Sequence, residues 1–178
     1  MRVANFLKLG FPVAIILTTL QVLLLATHMP TVAVASGEIE LRLAERASKA
    51  RSIIDESISV EFWGVRYRVA TRPELTLRRT DLLEVSIRET NLGDYALRLL
   101  VDRPLWEAVE LMTTAYQGNH LAIFVDGSLI LVATVEMAIP DGRLRINLYG
   151  RSKEEAIEMA RRFSDTPLFE SFGGTRTK

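Results

Sequence analysis

Apolar and polar positions follow a strand-like pattern most clearly between Asn119 and Gly150, and this stretch predicts three strands in succession. Residues 121–125 and 128–137 are apolar, β-branched runs separated only by Asp126-Gly127. That dipeptide is favoured in two-residue hairpin turns because both central positions take φ > 0. A second reversal, Asp141-Gly142 behind Pro140, leads into residues 143–149. There Leu144, Ile146 and Leu148 share one face and Arg143, Arg145 and Asn147 the other, as in a half-buried strand. The middle run is apolar on both faces, the pattern of a strand at the centre of a sheet.

The rest of the chain is patterned more loosely. Within residues 37–57, Leu43, Ala47, Ala50 and Ile54 recur at helical spacing, with Arg42, Glu45, Arg46 and Lys49 elsewhere around the wheel. They predict an amphipathic helical linker; Ile39, Leu41 and Leu43 also alternate, so a short strand ahead of it fits as well. Residues 58–70 are rich in β-formers, with Val65, Tyr67 and Val69 on one face and Arg66 and Arg68 on the other. Residues 82–88 resume the strand pattern with Leu83, Val85 and Ile87 inward. Asn91-Leu92-Gly93-Asp94 makes a turn, and residues 95–101 form another strand. Pro104 fits the first turn of a helix, where no amide donor is missed. The stripe Leu105, Ala108, Val109, Met112, Ala115 and Tyr116 follows, and Gly118 ends it. Ser152 and Glu155 form a capping box, in which each side chain satisfies an orphan backbone donor of a final helix. That helix buries Ala156, Met159, Ala160 and Phe163; beyond it the tail, 166–178, with Pro167, Gly173 and Gly174, frays. Together these elements predict an α+β domain over residues 58–165, with one antiparallel or mixed sheet carrying two helices on one face.

Residues 1–36 have the three parts of a secretory signal. Arg2 and Lys8 form a charged start, residues 11–26 an apolar run of about 16 residues, and Ala33-Val34-Ala35 a small-residue cleavage site. The run is close to the roughly 18–20 residues that span a bilayer, so an uncleaved anchor remains the alternative to cleavage after Ala35. In both cases the positive start stays inside and the remainder crosses, which places the domain outside the cytoplasm.

Composition narrows the chemistry. Twenty-two basic and 22 acidic side chains leave no net charge to draw the chain to nucleic acid. The absence of cysteine removes disulfides, thiolate catalysis and cysteine zinc sites; with His28 in the leader, His120 is the one histidine left to the domain, so a metal site is not expected. No glycine-rich phosphate loop precedes a helix, and no cofactor motif is present. Asp126 and Asp141 are accounted for as turn residues, and Glu154-Glu155 as a favourable helix start.

The order of features carries a resemblance. An apolar strand, Asp-Gly, a long apolar strand, Ile-Pro-x-Gly, a strand ending in glycine and then Ser-x-Glu-Glu-Ala resemble SecD, the accessory subunit of the protein-export translocon, in the head subdomain of its first large periplasmic domain. The likeness runs from Tyr67 to Phe163 and includes Arg72-Pro73-Glu74-Leu75-Thr76 with Asp81-Leu82, residues 95–101, and a helix bearing Thr113 that reaches Gly118-Asn119-His120-Leu121-Ala122-Ile123. It departs at Arg161-Arg162-Phe163-Ser164, where SecD has a Leu-Arg-Ser-Gly-like passage. The resemblance implies a compact ferredoxin-like head and an accessory role in export without catalysis.

Two binding modes follow from the residues. Arg66, Arg68, Arg98, Arg143 and Arg145 lie opposite the inward apolar positions, so in a single sheet they would gather on the face the helices leave open. Such a face pairs with Glu61, Glu84 and Glu136 or grips an acidic peptide, anionic lipid or membrane partner. Alternatively, an open sheet edge takes up an extended polypeptide or a translocon component. A small envelope hydrolase or transferase with a loop-built site, and a self-associating structural protein, are the competing readings.

Overall fold

The computed structural model describes residues 37–48 and 52–170. The expected leader, with Ala33 and Ala35, and residues 171–178 lie outside them. The described elements run β1 (Glu38–Arg46), β2 (Ser57–Phe62), β3 (Val65–Ala70), β4 (Leu75–Arg78), β5 (Leu82–Glu89), β6 (Tyr95–Val101), α1 (Trp106–Ala115), β7 (His120–Val125), β8 (Ser128–Thr134), β9 (Arg143–Leu148), α2 (Lys153–Arg161) and β10 (Leu168–Glu170).

The expected α+β class holds, but the strands form two sheets rather than one. The larger has the order β2-β3-β1-β7-β8, with β4 beside the first half of β1; the smaller has the order β10-β5-β6-β9. Both are antiparallel except where β10 runs parallel to β5. β9 therefore pairs with β6 and not with the hairpin that precedes it. The main core lies where the inner faces meet. Ile39, Leu41, Leu121, Ile123 and Leu131 of the larger sheet share one cluster with Val85, Ile87, Leu97, Leu99, Leu144, Ile146 and Leu148 of the smaller. Val109 and Met112 of α1 join it, as do Ala156, Met159 and Ala160 of α2 with Phe163.

Residues 38–46 form a strand, the alternative that the alternation of Ile39, Leu41 and Leu43 allowed, and not the start of an amphipathic helix. The alternating set Ile39, Leu41 and Leu43 is buried, and β1 is paired on both sides, by β7 along one edge and by β4 and β3 along the other. Burying three large aliphatic side chains within a sheet outweighs a helical stripe in which two of the four residues are alanines. β8 is an edge strand, not a central one. Its apolar character on both faces has another cause: Leu131 faces the main core, while Leu129 and Val132 pack on a second cluster on the opposite face. That cluster is Ala44, Tyr67, Val69, Ala122 and Phe124, with Val60, Phe62 and Val65 of the β2–β3 hairpin packed against it. The side of the larger sheet away from the helices is therefore furnished with its own apolar layer.

Smaller departures have local causes. A register shift between Leu82 and Glu84 turns Leu83 outward, whereas Val85 and Ile87 are buried as expected. Leu168–Glu170 of the expected frayed tail is paired with β5. At α2 the capping box forms as read: Ser152 Oγ accepts from the Glu155 amide at 3.2 Å, and Glu155 Oε2 accepts from the Ser152 amide at 2.8 Å.

Candidate binding groove

β8 ends the larger sheet and β9 ends the smaller, so each carries a backbone edge with no strand beside it among the described residues. Between these edges lies a cavity of about 710 Å³. Ile39, Leu41, Leu121 and Ile123 form part of its lining, together with Leu131 and Ala133 from β8 and Leu144 and Ile146 from β9. The segment after β8, residues 135–139, supplies another part through Val135, Met137 and Ile139. This segment is fixed by hydrogen bonds rather than by a sheet. The buried Thr113 hydroxyl donates to the Val109 carbonyl at 2.8 Å and accepts from the Ile139 amide at 2.9 Å. The Val135 amide donates to the Asn119 carbonyl at 2.9 Å, and the Gln117 side-chain amide to the Glu136 carbonyl at 3.0 Å.

Aromatic side chains from two distant parts of the chain meet at the groove. The β2–β3 reversal is the dipeptide Trp63-Gly64, with φ of 50° and 73°. Trp63 stacks on Phe62 with ring centroids 5.1 Å apart and meets Tyr149, just beyond β9, also at 5.1 Å. Trp63 is 70% exposed and Met137 is exposed beside the same cavity. Along the outward side of β9 a ladder runs from Arg145 Nε to Asn147 Oδ1 at 3.1 Å, and from Asn147 Nδ2 to the Tyr149 hydroxyl at 3.0 Å. Among the described residues the lining holds one carboxylate, Glu136, and one guanidinium, Arg145, with neither histidine nor lysine. Such a surface takes up apolar material bordered by backbone hydrogen-bonding groups; it does not assemble paired acids and bases.

The five arginines singled out by sequence do not converge. Arg66 and Arg68 belong to β3 in the larger sheet, and Arg98, Arg143 and Arg145 to the outer face of the smaller one. Arg68 lies 3.7 Å from the buried carboxylate of Glu45, which also accepts from Ser52 Oγ at 2.8 Å and the Ile53 amide at 3.2 Å. Glu61 is the cross-strand neighbour of Arg66. Arg98 and Arg145 are direct cross-strand partners; Arg98 pairs with Glu170 at 3.0 Å and Arg143 with Asp141 at 3.8 Å. The neutralising acids are thus mainly Glu45, Glu170 and Asp141 rather than Glu84 and Glu136. Asp126 does more than turn the chain: Oδ1 accepts from the Glu38 amide at 3.0 Å and Oδ2 from Arg162 at 3.2 Å. Gly142 is pressed against Trp106, where an added Cβ would fall 2.4 Å from an indole carbon.

A smaller cleft of about 420 Å³ lies beside Leu43, Ile54 and Tyr116. There the Tyr116 hydroxyl donates to Glu74 at 2.7 Å, and this bond, with desolvation and the carboxylate charge, pushes the phenol up to about 12. No group of three or more metal-ligating side chains occurs among the described residues. Phe62, Trp63, Met137 and Tyr149 were not singled out from sequence. The one available signal was Trp-Gly between two β-forming runs, and tryptophan is not a turn residue by composition.

No family model matches the chain, and no curated protein matches it. Solved structures do. A structure of SecDF in a super-membrane-facing form matches with a TM-score of 0.56 at 20% identity over 75% of this chain. A second SecDF structure, described as a membrane component that enhances protein export, matches with a TM-score of 0.55 at 18% identity over 90% of this chain. The chain spans 19% of the length of the first and 72% of the second. The resemblance drawn from residue order is therefore present in three dimensions: the chain has the fold of a SecD-like head domain.

Proposed function

We propose that the protein is a non-enzymatic binding domain, acting outside the cytoplasm, that holds extended polypeptide in the groove between β8 and β9. The observation that carries this reading is the pairing of two unoccupied strand edges with an apolar cavity of about 710 Å³. An extended chain beside such an edge satisfies its backbone groups by adding to the sheet, while alternate side chains leave water for the apolar lining. Each fully buried aliphatic or aromatic side chain contributes about 1.5–3 kcal/mol before ordering costs.

The likeness to SecDF supports an accessory role in protein export, with a translocon component or an exported chain as partner. Because the chain spans a fifth of one such protein, the reading concerns gripping and not the whole cycle. Among the described residues no helix is long and apolar enough to cross a membrane. We assign Arg98, Arg143 and Arg145, outward on the smaller sheet, to contact with an acidic envelope partner. A hydrolase or transferase fits this geometry less well, since Glu136 is the one carboxylate in the cavity lining. Self-association through open sheet edges is the second reading, favoured by β2 and β8 both ending the larger sheet.

Photocrosslinking in cells from Thr134, exposed on β8, and from Met137, exposed beside the cavity, tests this. Adducts with exported precursor chains or a translocon subunit at both positions are expected. Recovery of copies of this protein alone would replace the reading with self-association.

A further inference from the structure

We propose that the β2–β3 hairpin is a flap over the groove, latched by Trp63 against Tyr149, and that this latch selects polypeptide segments carrying a bulky apolar side chain. The inference rests on the polypeptide reading above and names which segments the site prefers.

The hairpin is joined to the rest of the larger sheet over a short span. β3 pairs with β1 only through Ala44–Val69, Glu45–Arg68 and Arg46–Tyr67, followed by one backbone bond from Ala47 to Arg66. Toward the turn, residues 60–65 find their strand partners only within the hairpin. The turn reaches across to the end of β9 through the Trp63–Tyr149 ring contact. A flap of this kind can lift by giving up that contact and the apolar packing of Val60, Phe62 and Val65.

Trp63 itself needs an explanation. It occupies the first central position of a two-residue turn at φ 50°, where asparagine, aspartate or glycine is least strained. The side chain is mostly exposed, so core packing does not account for it either. What the indole does is close one side of the groove against Tyr149, beside the apolar lining. An aromatic or aliphatic side chain laid against these rings gains stacking and burial. A carboxylate there would lose water against ring faces.

The test uses the full chain, with fluorescently labelled peptides of alternating valine and threonine. These peptides differ at one central residue, which is phenylalanine, leucine or aspartate. Wild-type protein is expected to bind the phenylalanine and leucine peptides about tenfold more tightly than the aspartate peptide. Trp63→Ala is expected to reduce that ratio to near unity while retaining weak binding of all three, and Trp63→Phe to restore most of it. Circular dichroism checks that each variant is folded. Equal binding of all peptides by wild type and Trp63→Ala would overturn the latch and leave polypeptide binding standing. No binding of any peptide by wild type would overturn both.

Discussion

Two reversals share a backbone and differ in everything else. Asp126-Gly127 joins β7 to β8 with φ of 47° and 77°; Trp63-Gly64 joins β2 to β3 with 50° and 73°. The Asp126 side chain is 12% exposed and bonded to the first amide of β1 and to Arg162 just after α2, so this turn fastens three elements together. Trp63 stands largely in solvent, touches the end of β9 through Tyr149 and fastens nothing by hydrogen bonds. The same local geometry thus serves the fold at one place and, at the other, holds an exposed indole at the groove, which we propose is offered to a partner. What separates them is the chemistry of the first central residue: a carboxylate suited to the turn that finds tertiary donors, and an indole unsuited to the turn that finds a groove.

This contrast can be sharpened by a third reversal. At Asp141-Gly142 the aspartate is exposed, and the glycine is the packed member, at φ 64° against Trp106. Gly142→Ala must both strain the backbone and displace an indole that donates to the Val101 carbonyl at 2.7 Å. A loss of about 3 kcal/mol is expected in denaturant unfolding. Gly127→Ala, with open space around the position, should lose about 1 kcal/mol from backbone strain alone.

Asp126→Ala removes two charge-assisted hydrogen bonds and should cost about 2 kcal/mol by the same assay. Trp63→Ala should change stability by less than about 0.5 kcal/mol, and Trp63→Asn should slightly raise it by relieving the turn. A Trp63→Ala loss as large as that of Asp126→Ala would erase the distinction between the two turns.

The smallest effect concerns neither turn and appears only in alkali. Tyr116 is raised from 10.0 to about 12 by its bond to Glu74, so between these values the folded chain keeps a proton that the unfolded chain has released. Its contribution is complete below pH 10 and is lost as pH rises toward 12. Unfolding midpoints followed across that window should fall more steeply for wild type than for Tyr116→Phe.

How much of this was legible depended on how local the cause is. The β7–β8 turn, the capping box of α2 and the faces of β9 follow from neighbouring residues, and the structure has them as read. The division into two sheets does not. β9 alternates identically whether its partner is β8 or β6, and only the core shared by Leu144 and Leu99 decides. β1 was obscured because Leu43 serves both a helical and an alternating pattern, and its burial between β7 and β3 is a long-range fact. Arg66, Arg143 and Arg145 are exposed and Arg98 is half-buried, whereas Arg68 turns to the buried Glu45. That they fall on two sheets, with Glu45, Glu170 and Asp141 beside them, depends on pairings invisible to periodicity. The groove was least legible, since its lining runs from Ile39 to Tyr149 and Trp63 breaks the turn rule that would have marked it.

The central claim is that extended polypeptide lies along the free edge of β8. Amide hydrogen exchange of the full chain, with and without a saturating apolar extended peptide, tests it most directly. The account predicts new protection at amides within residues 128–134 and 143–148, with little change around Arg98 on the outer face of the smaller sheet. Protection confined to that outer face, or none at β8 while the peptide is bound, would contradict it.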